Sequence, residues 1–119
     1  WQAPVLVHPT VTMGREVHLG AGTILCAGVR LTTNIRIGRH VHVNLNSTIG
    51  HDCEIRDYVS VNPLVAVSGN VVLGEGVSLG THSAILQNLE FCIEATVGSG
   101  ALVVKDVPSG IVVKGVPAR

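Results

Sequence analysis

The sequence predicts an all-β protein in which short parallel strands wind into about six triangular coils. Three features carry this prediction: an apolar residue recurs every six positions, an apolar or small residue follows four positions later, and residues that tolerate positive φ lie between them. The first position of each block is apolar without exception: Val7, Met13, Leu19, Leu25, Leu31, Ile37, Val43, Ile49, Ile55, Val61, Val67, Leu73, Leu79, Ile85, Phe91, Val97 and Val103. With 46% apolar residues, chance would give such a run roughly once in 10⁶ trials, which favours a repeat.

Each block contains a short strand and a corner. The fifth positions, from Val11 to Val107, hold only Val, Ile, Leu, Ala, Ser, Thr or Cys, so positions five and one are predicted to point into the core. The fourth position is predicted to be left-handed, because Gly, Asn, Asp and His tolerate positive φ. In most blocks it holds one of these four residue types: Gly22, Gly28, Asn34, His40, Asn46, Asp52, Asn70, Gly76, His82, Asn88, Gly100 and Asp106. Three blocks would close one coil, and coils would stack about 4.8 Å apart.

By length, the 119 residues make one domain. We predict a β-helix domain over residues 1–107 and a capping tail over residues 108–119, where Pro108, Gly110, Gly115 and Pro117 break the period. The chain begins at Trp1 without Met, so a longer parent protein is an expectation.

The charge balance excludes several classes of partner. Eight basic and eight acidic residues give zero net charge with His neutral, so there is no basic surface for nucleic acid or for an anionic membrane. No apolar run approaches the length of a membrane span, and no signal peptide is visible. Cys26, Cys53 and Cys92 lack metal-ligand and CxxC spacing, which predicts a reduced, cytoplasmic protein.

The sixth position of each block is predicted to point outward, so stacking every third block gives three ladders. The first is Thr12, Arg30, Thr48, Ala66, Ala84 and Leu102; the second is His18, Arg36, Glu54, Val72 and Glu90; the third is Ile24, His42, Ser60, Ser78 and Thr96. The second carries most of the charge and is predicted to face solvent. The other two become small toward the C-terminus, which favours a subunit interface, although small residues could merely fill a flat sheet surface.

His51 is a candidate general base. It occupies the third position of its block, which faces outward, and Asp52 follows it. An unperturbed imidazole titrates at about pH 6.5 and can take a proton; a neighbouring carboxylate can orient the ring and stabilise the imidazolium. The simpler interpretation is a surface turn histidine, which is the one expected for His40 and His82 at position four.

The repeat, Leu/Ile/Val-Gly-x-x-Ser/Thr/Ala/Val-x over about residues 7–107, resembles the hexapeptide-repeat family. The resemblance implies a left-handed parallel β-helix and a homotrimer with sites between subunits. The run NSTIGHDCEIRDYVSVNPLVAVSGNVVLGEGVSLG is similar to the catalytic region of bacterial acetyl-CoA-dependent sugar acetyltransferases. These include N-acetyltransferases of nucleotide-activated amino sugars and the sialic acid O-acetyltransferase family.

By this resemblance, His51 and Asp52 match the His-Asp/Glu-Cys-x-Ile pattern that contains the general base. Gly69, in the Ser-Gly-Asn segment, would donate its N–H to the thioester carbonyl and would stack over His51, one coil further along. Many relatives have a second His, which contacts the cofactor, nine residues after the first. Ser60 takes that place here and could offer a hydroxyl to the cofactor.

The resemblance also places coenzyme A along a groove between subunits. Thr81 and Ser99 would contact its pantetheine through backbone groups. Lys105, Lys114 and Arg119 are candidates for its phosphates, since the closing sequence GVPAR is typical of the family. A solvated basic tail is the simpler interpretation of these three cations.

The function that the resemblance implies is transfer of acetyl from acetyl-CoA to an amino group, or less commonly a hydroxyl, of a bacterial sugar or nucleotide sugar. Relatives usually carry an N-terminal nucleotide-sugar-binding domain, which is expected to be absent here because the repeat starts within the first ten residues. The rival hypothesis is a non-catalytic trimeric β-helix scaffold or assembly module. A metal is not predicted: the γ-class carbonic anhydrases of this fold need His pairs spaced His-x4-His, which the six histidines do not provide.

Overall fold

The computed structural model describes residues 3–119; Trp1 and Gln2, with which the predicted β-helix domain begins, lie outside the described residues. Within them the chain forms only short strands and turns. In order these are β1 (Leu6–Val7), β2 (Thr12–Met13), β3 (Val17–Leu19), β4 (Ile24–Leu25), β5 (Arg30–Leu31), β6 (Ile35–Ile37), β7 (His42–Val43), β8 (Thr48–Ile49), β9 (Glu54–Ile55), β10 (Ser60–Val61), β11 (Ala66–Val67), β12 (Val72–Leu73), β13 (Ser78–Leu79), β14 (Ala84–Ile85), β15 (Glu90–Phe91), β16 (Thr96–Val97), β17 (Leu102–Val103) and β18 (Val112–Val113).

The strands form three parallel sheets, one on each face of a triangular β-helix. Sheet A has the order β1-β4-β7-β10-β13-β16-β18, sheet B β2-β5-β8-β11-β14-β17 and sheet C β3-β6-β9-β12-β15. Successive strands of a sheet come from every third block, as Thr48 pairs with Ala66 and Arg36 with Glu54. The predicted all-β architecture, the coil of three blocks and the three outward ladders are therefore confirmed.

The core is a narrow column of aliphatic side chains. First-position residues from Leu25 to Val103 are buried, and Phe91 is the largest of the fully buried side chains. Val7 and Met13, predicted to point into the core, are 39% and 44% exposed instead. They lie in the first coil, where no coil of the described residues packs beneath them.

The corners take the left-handed conformation, even where the residue does not favour it. Asn34, for example, has φ 54°, but Tyr58, Leu64 and Glu94 also have positive values, of 61°, 61° and 63°. A side chain with a Cβ loses roughly 1–2 kcal/mol in this region. The cost is offset because the N–H of each of these last three residues donates to a carbonyl of the coil below, at 2.9 Å in every case.

Asp106 was predicted to be left-handed, and this is wrong: its φ is not positive. The repeat shortens here, because Thr96 of β16 pairs with Val112 of β18, which comes two positions earlier than a full coil would place it. The Asp106 carboxylate instead accepts the Glu90 N–H at 2.8 Å. The tail after this point adds β18 to sheet A and buries Ala118, whose N–H donates to the Leu102 carbonyl at 2.8 Å. Division of the chain at residue 107 remains a prediction.

Candidate active site

His51 lies at the corner that joins sheet B to sheet C, between β8 and β9. The corner is tight because glycines bring neighbouring coils together: a Cβ on Gly50 would lie 2.7 Å from the Gly69 nitrogen. Asp52 closes the corner with φ 58°, and its N–H donates to the Thr33 carbonyl at 3.1 Å. The His51 side chain points outward and is 63% exposed, as the position in the repeat predicts.

The side chains of His51 and Asp52 form a pair, with Nδ1 of the ring 2.8 Å from Oδ2 of the carboxylate. An ionised carboxylate can only accept, so Nδ1 carries the hydrogen in the neutral ring. The other ring nitrogen, Nε2, then keeps its lone pair. The pair therefore has the arrangement of a general base that is oriented by an acidic neighbour.

A third side chain, Asn34, completes this arrangement, and the sequence interpretation did not single it out as a site residue. Its Nδ2 donates to Oδ1 of Asp52 at 2.5 Å. This hydrogen bond lowers the pKa of the Asp52 carboxyl from its usual value, and the hydrogen bond from His51 lowers it further by a smaller amount. The signal that could have found it is the spacing of one full coil between Asn34 and Asp52, which stacks the two residues on one corner.

Gly69 lies directly over the imidazole ring. A Cβ at this position would lie 2.5 Å from Nε2 of His51 and 2.6 Å from Cε1, so only glycine fits without moving the ring. Within residues 3–119, its N–H donates to no acceptor, because amides at the third position of a block do not join the ladder. An unpaired donor thus lies beside the free nitrogen of the candidate base.

A buried thiol supports the segment before Gly69. Cys53 Sγ donates to the Ser68 carbonyl at 3.2 Å, and burial raises the pKa of this thiol. Cys53 is thus a structural core residue. The other two cysteines, Cys26 and Cys92, are free thiols as well.

Three other predicted cofactor residues lie away from His51 within one chain. Thr81 and Ser99 stand one above the other at the corner between sheets A and B, whereas His51 lies at the opposite edge of sheet B. Their N–H groups, like that of Gly69, donate to no acceptor in the described part of the chain. Ser60 is exposed on the outer face of sheet A, between His42 and Ser78. A single subunit therefore does not bring these residues to the candidate base.

The three predicted phosphate-binding cations gather at the C-terminal end. Lys105 and Arg119 line one groove of about 430 Å³, together with the acidic side chain of Asp106. Lys114 exchanges two backbone hydrogen bonds with Arg119, at 3.2 and 3.0 Å. All three cations are exposed, so they are accessible to an anionic ligand.

Another groove, a metal site and a membrane-spanning segment are the other features that could indicate a function. A charged groove of about 290 Å³ lies beside sheet C and is lined by Arg36, Glu54 and Arg56, among others. No group of three or more His, Cys, Asp or Glu side chains from residue 3 onward could hold a metal ion. The same residues contain no helix of the length and apolarity that crossing a bilayer requires.

The geometry can be compared with known proteins. No protein-family model matches the chain. A GDP-perosamine N-acetyltransferase of Escherichia coli is 38% identical over 118 residues, which span 94% of this chain and 53% of that protein. The structure of WeeI from Acinetobacter baumannii is also 38% identical, with a TM-score of 0.91 over 93% of this chain and 55% of that one.

Both similarities are to the β-helical part of longer proteins, and another relative, a galactoside O-acetyltransferase of Escherichia coli, is 31% identical over 107 residues, which span 73% of this chain and 53% of that protein. A mutant perosamine N-acetyltransferase from Caulobacter crescentus, in complex with CoA and GDP-perosamine, is 28% identical and has a TM-score of 0.98 over the whole chain and 57% of its own. The near-complete superposition confirms the left-handed β-helix. The chain spans about half the length of curated relatives such as the Escherichia coli enzyme.

Proposed function

We propose that this chain is the catalytic β-helix domain of an acetyltransferase that moves acetyl from acetyl-CoA to an amino group of a nucleotide sugar. The observation that carries the proposal is the His51–Asp52 pair, whose free Nε2 faces Gly69. Relatives at 28% and 38% identity are named perosamine N-acetyltransferases, and one was solved with CoA and GDP-perosamine. The acceptor of this chain is accordingly a nucleotide-activated amino sugar.

The reaction forms a C–N bond and breaks a C–S bond, and a proton moves from the acceptor nitrogen to the CoA sulfur by way of His51. The acceptor nitrogen attacks the thioester carbonyl carbon while Nε2 of His51 takes a proton from that nitrogen. Negative charge develops on the carbonyl oxygen, where the Gly69 N–H can donate to it. Collapse of the intermediate expels the CoA sulfur, which the proton on His51 neutralises. The products are the N-acetylated sugar and CoA.

The proposed cofactor groove lies between subunits. Thr81 and Ser99, at the far edge of sheet B, have N–H groups without an acceptor among residues 3–119, and the cations near Arg119 offer charge for phosphates. Because His51 lies at the other edge, one subunit would supply the base and its neighbour the pantetheine contacts. The free thiols are consistent with the proposed cytoplasmic location.

The experiment that tests the proposal measures CoA release from acetyl-CoA in the presence of nucleotide-activated amino sugars, GDP-perosamine first, with the longest natural form of the protein. Acetylation of the sugar amine, detected by mass spectrometry, is the expected result. Absence of both turnover and acetyl-CoA binding in calorimetry at millimolar ligand would favour the scaffold hypothesis. Acetylation of a hydroxyl instead of an amine would retain the enzyme and change its acceptor.

We expect a homotrimer, since the outward side chains of sheets A and B are small from β8 to β16, whereas sheet C carries most of the outward charges. Ala66 is central on sheet B, so Ala66→Arg should dissociate the assembly by placing a charged side chain in a close-packed interface. Val72→Arg, at an outward position of sheet C between Glu54 and Glu90, is the matched control. Sedimentation equilibrium should give three times 12.4 kDa for the native chain and for Val72→Arg; a native species of 12.4 kDa would rule out the intersubunit site.

Gly69→Ala should lower kcat while the fold survives. The added methyl would displace the exposed His51 ring, which is the side chain free to move, and the backbone N–H would stay. We expect a loss of about 10-fold or more, because proton transfer depends on the position of Nε2. In a His51→Ala background the same change should cost nothing further, since the ring is already absent. An additional loss in that background would mean that Gly69 acts independently of the ring.

A further inference from the structure

The Asp52 carboxylate makes a hydrogen bond, to Asn34, that has no role in the proposed mechanism. The Asp52 carboxylate has two oxygens, and each is assigned to a different partner. Oδ2 lies 2.8 Å from Nδ1 of His51, and Oδ1 accepts from Nδ2 of Asn34 at 2.5 Å. Asn34 does not contact the imidazole through any hydrogen bond of the described chain, so any effect on His51 passes through Asp52.

The backbone explains why Asn34 can hold this position. It lies one coil below Asp52 on the same corner, and both residues are left-handed, with φ 54° and 58°. Its N–H donates to the Arg15 carbonyl at 2.9 Å, which fixes the residue in the ladder. The Asn34 amide therefore extends from a corner whose backbone is hydrogen-bonded to the neighbouring coil.

The carboxylate needs such a partner because it is at the surface. The side chain of Asp52 is 50% exposed, and an exposed carboxylate can rotate and exchange its partners for water. Asn34 occupies one oxygen and leaves the other aligned with the ring. The hydrogen bond from Asn34 is also the largest cause of the lowered pKa of Asp52.

We propose that Asn34 is a positioning residue, which holds the Asp52 carboxylate so that His51 stays in the Nδ1–H tautomer with Nε2 ready to accept a proton. The inference rests on the proposed acetyl transfer for its kinetic consequence. Its spectroscopic consequence requires no substrate. The proposed acetyl transfer and the proposed role of Asn34 can therefore fail separately.

The test uses three variants at the corner. Asn34→Gly keeps a residue that adopts positive φ freely and removes the amide. Asn34→Asp keeps the shape and the tolerance of positive φ but replaces the donor with a second carboxylate beside Asp52. Asn88→Gly is the matched control: Asn88 is on the same corner at φ 64° and accepts from Asn70 at 2.9 Å, two coils away from Asp52.

The first readout is the tautomer of His51, which is measured by ¹⁵N NMR of the imidazole in the free protein. The Nδ1–H population should fall in Asn34→Gly, fall further in Asn34→Asp and stay unchanged in Asn88→Gly. The pKa of Asp52 should rise in both Asn34 variants. An unchanged tautomer population in both would overturn the proposal whatever the enzyme acetylates.

The second readout is turnover with the acceptor identified above. Asn34→Gly should lower kcat by about 3- to 10-fold, the scale of one hydrogen bond, with the KM for acetyl-CoA unchanged. Asn34→Asp should be slower than Asn34→Gly. If Asn34 only fills space, the order reverses and Asn34→Asp, which keeps the shape, retains more activity. If no acceptor is found, the proposed function fails and the tautomer measurement still decides the role of Asn34.

Discussion

Replacing His51 with alanine should lower kcat by about 10²–10⁴-fold, the usual contribution of a positioned proton acceptor. Acetyl-CoA binding should be nearly unchanged, because the proposed cofactor contacts are backbone N–H groups at another corner and the cations of the tail. The fold should also survive, since the side chain is 63% exposed and fills no part of the core. The measurement is steady-state kinetics with the identified acceptor, alongside calorimetry with acetyl-CoA.

His82→Ala is the control for the loss of an exposed imidazole. His82 is exposed, and its backbone is left-handed like that of Asp52. It lies on the corner between sheets A and B, whereas His51 lies on the corner between sheets B and C. Turnover should stay close to that of the native chain. Full activity in His51→Ala would show the proposed mechanism to be wrong even though the fold is correct.

Ile49→Asp should prevent folding or assembly. Ile49 is 0% exposed and pairs with Leu31 and Val67 in the centre of sheet B. A carboxylate there would have no partner in an aliphatic column, at a cost of about 4 kcal/mol or more. That is a large part of the about 5–15 kcal/mol by which a domain is usually stable. Circular dichroism and gel filtration should show an unfolded or aggregated chain.

The comparison variant is Glu54→Gln, at an outward position on the neighbouring strand β9. The Glu54 carboxylate accepts from Arg56 Nε at 2.7 Å, with both side chains about half exposed. Exposed ion pairs of this kind are worth about 0–1 kcal/mol, so the melting temperature should change little. Equal effects of the two changes would mean that the inward and outward positions had been assigned incorrectly.

The fold could be predicted from the sequence because the physics of the coil is periodic. The first position of each block is buried from Leu25 to Val103, and the sequence shows it directly as an apolar residue at every sixth position. The corners were less predictable. Leu64 and Tyr58 are left-handed against their own preference, because the backbone ladder of neighbouring coils decides the conformation there.

The candidate site, like the fold, has features that could be predicted from the sequence and others that could not. His51 and Asp52 are adjacent in sequence, so their pairing could be anticipated. The contact between Asn34 and Asp52 is distant in sequence and becomes visible only when the chain is arranged in coils of three blocks. Thr81 and Ser99 were assigned by resemblance, and their separation from His51 within one chain follows from the corner on which they lie.

The uniform spacing of the strand ladder also sets how such a domain can change in length. From β1 to β17, every paired strand lies three blocks from its partner. Gaining or losing three blocks would leave each later side chain on its own face, whereas a single block would transfer each one to the next face of the triangle. Viable insertions and deletions should therefore come as whole coils. The distance along the helix axis between His51 and the first coil would then change only in steps of about 4.8 Å, the spacing of neighbouring strands.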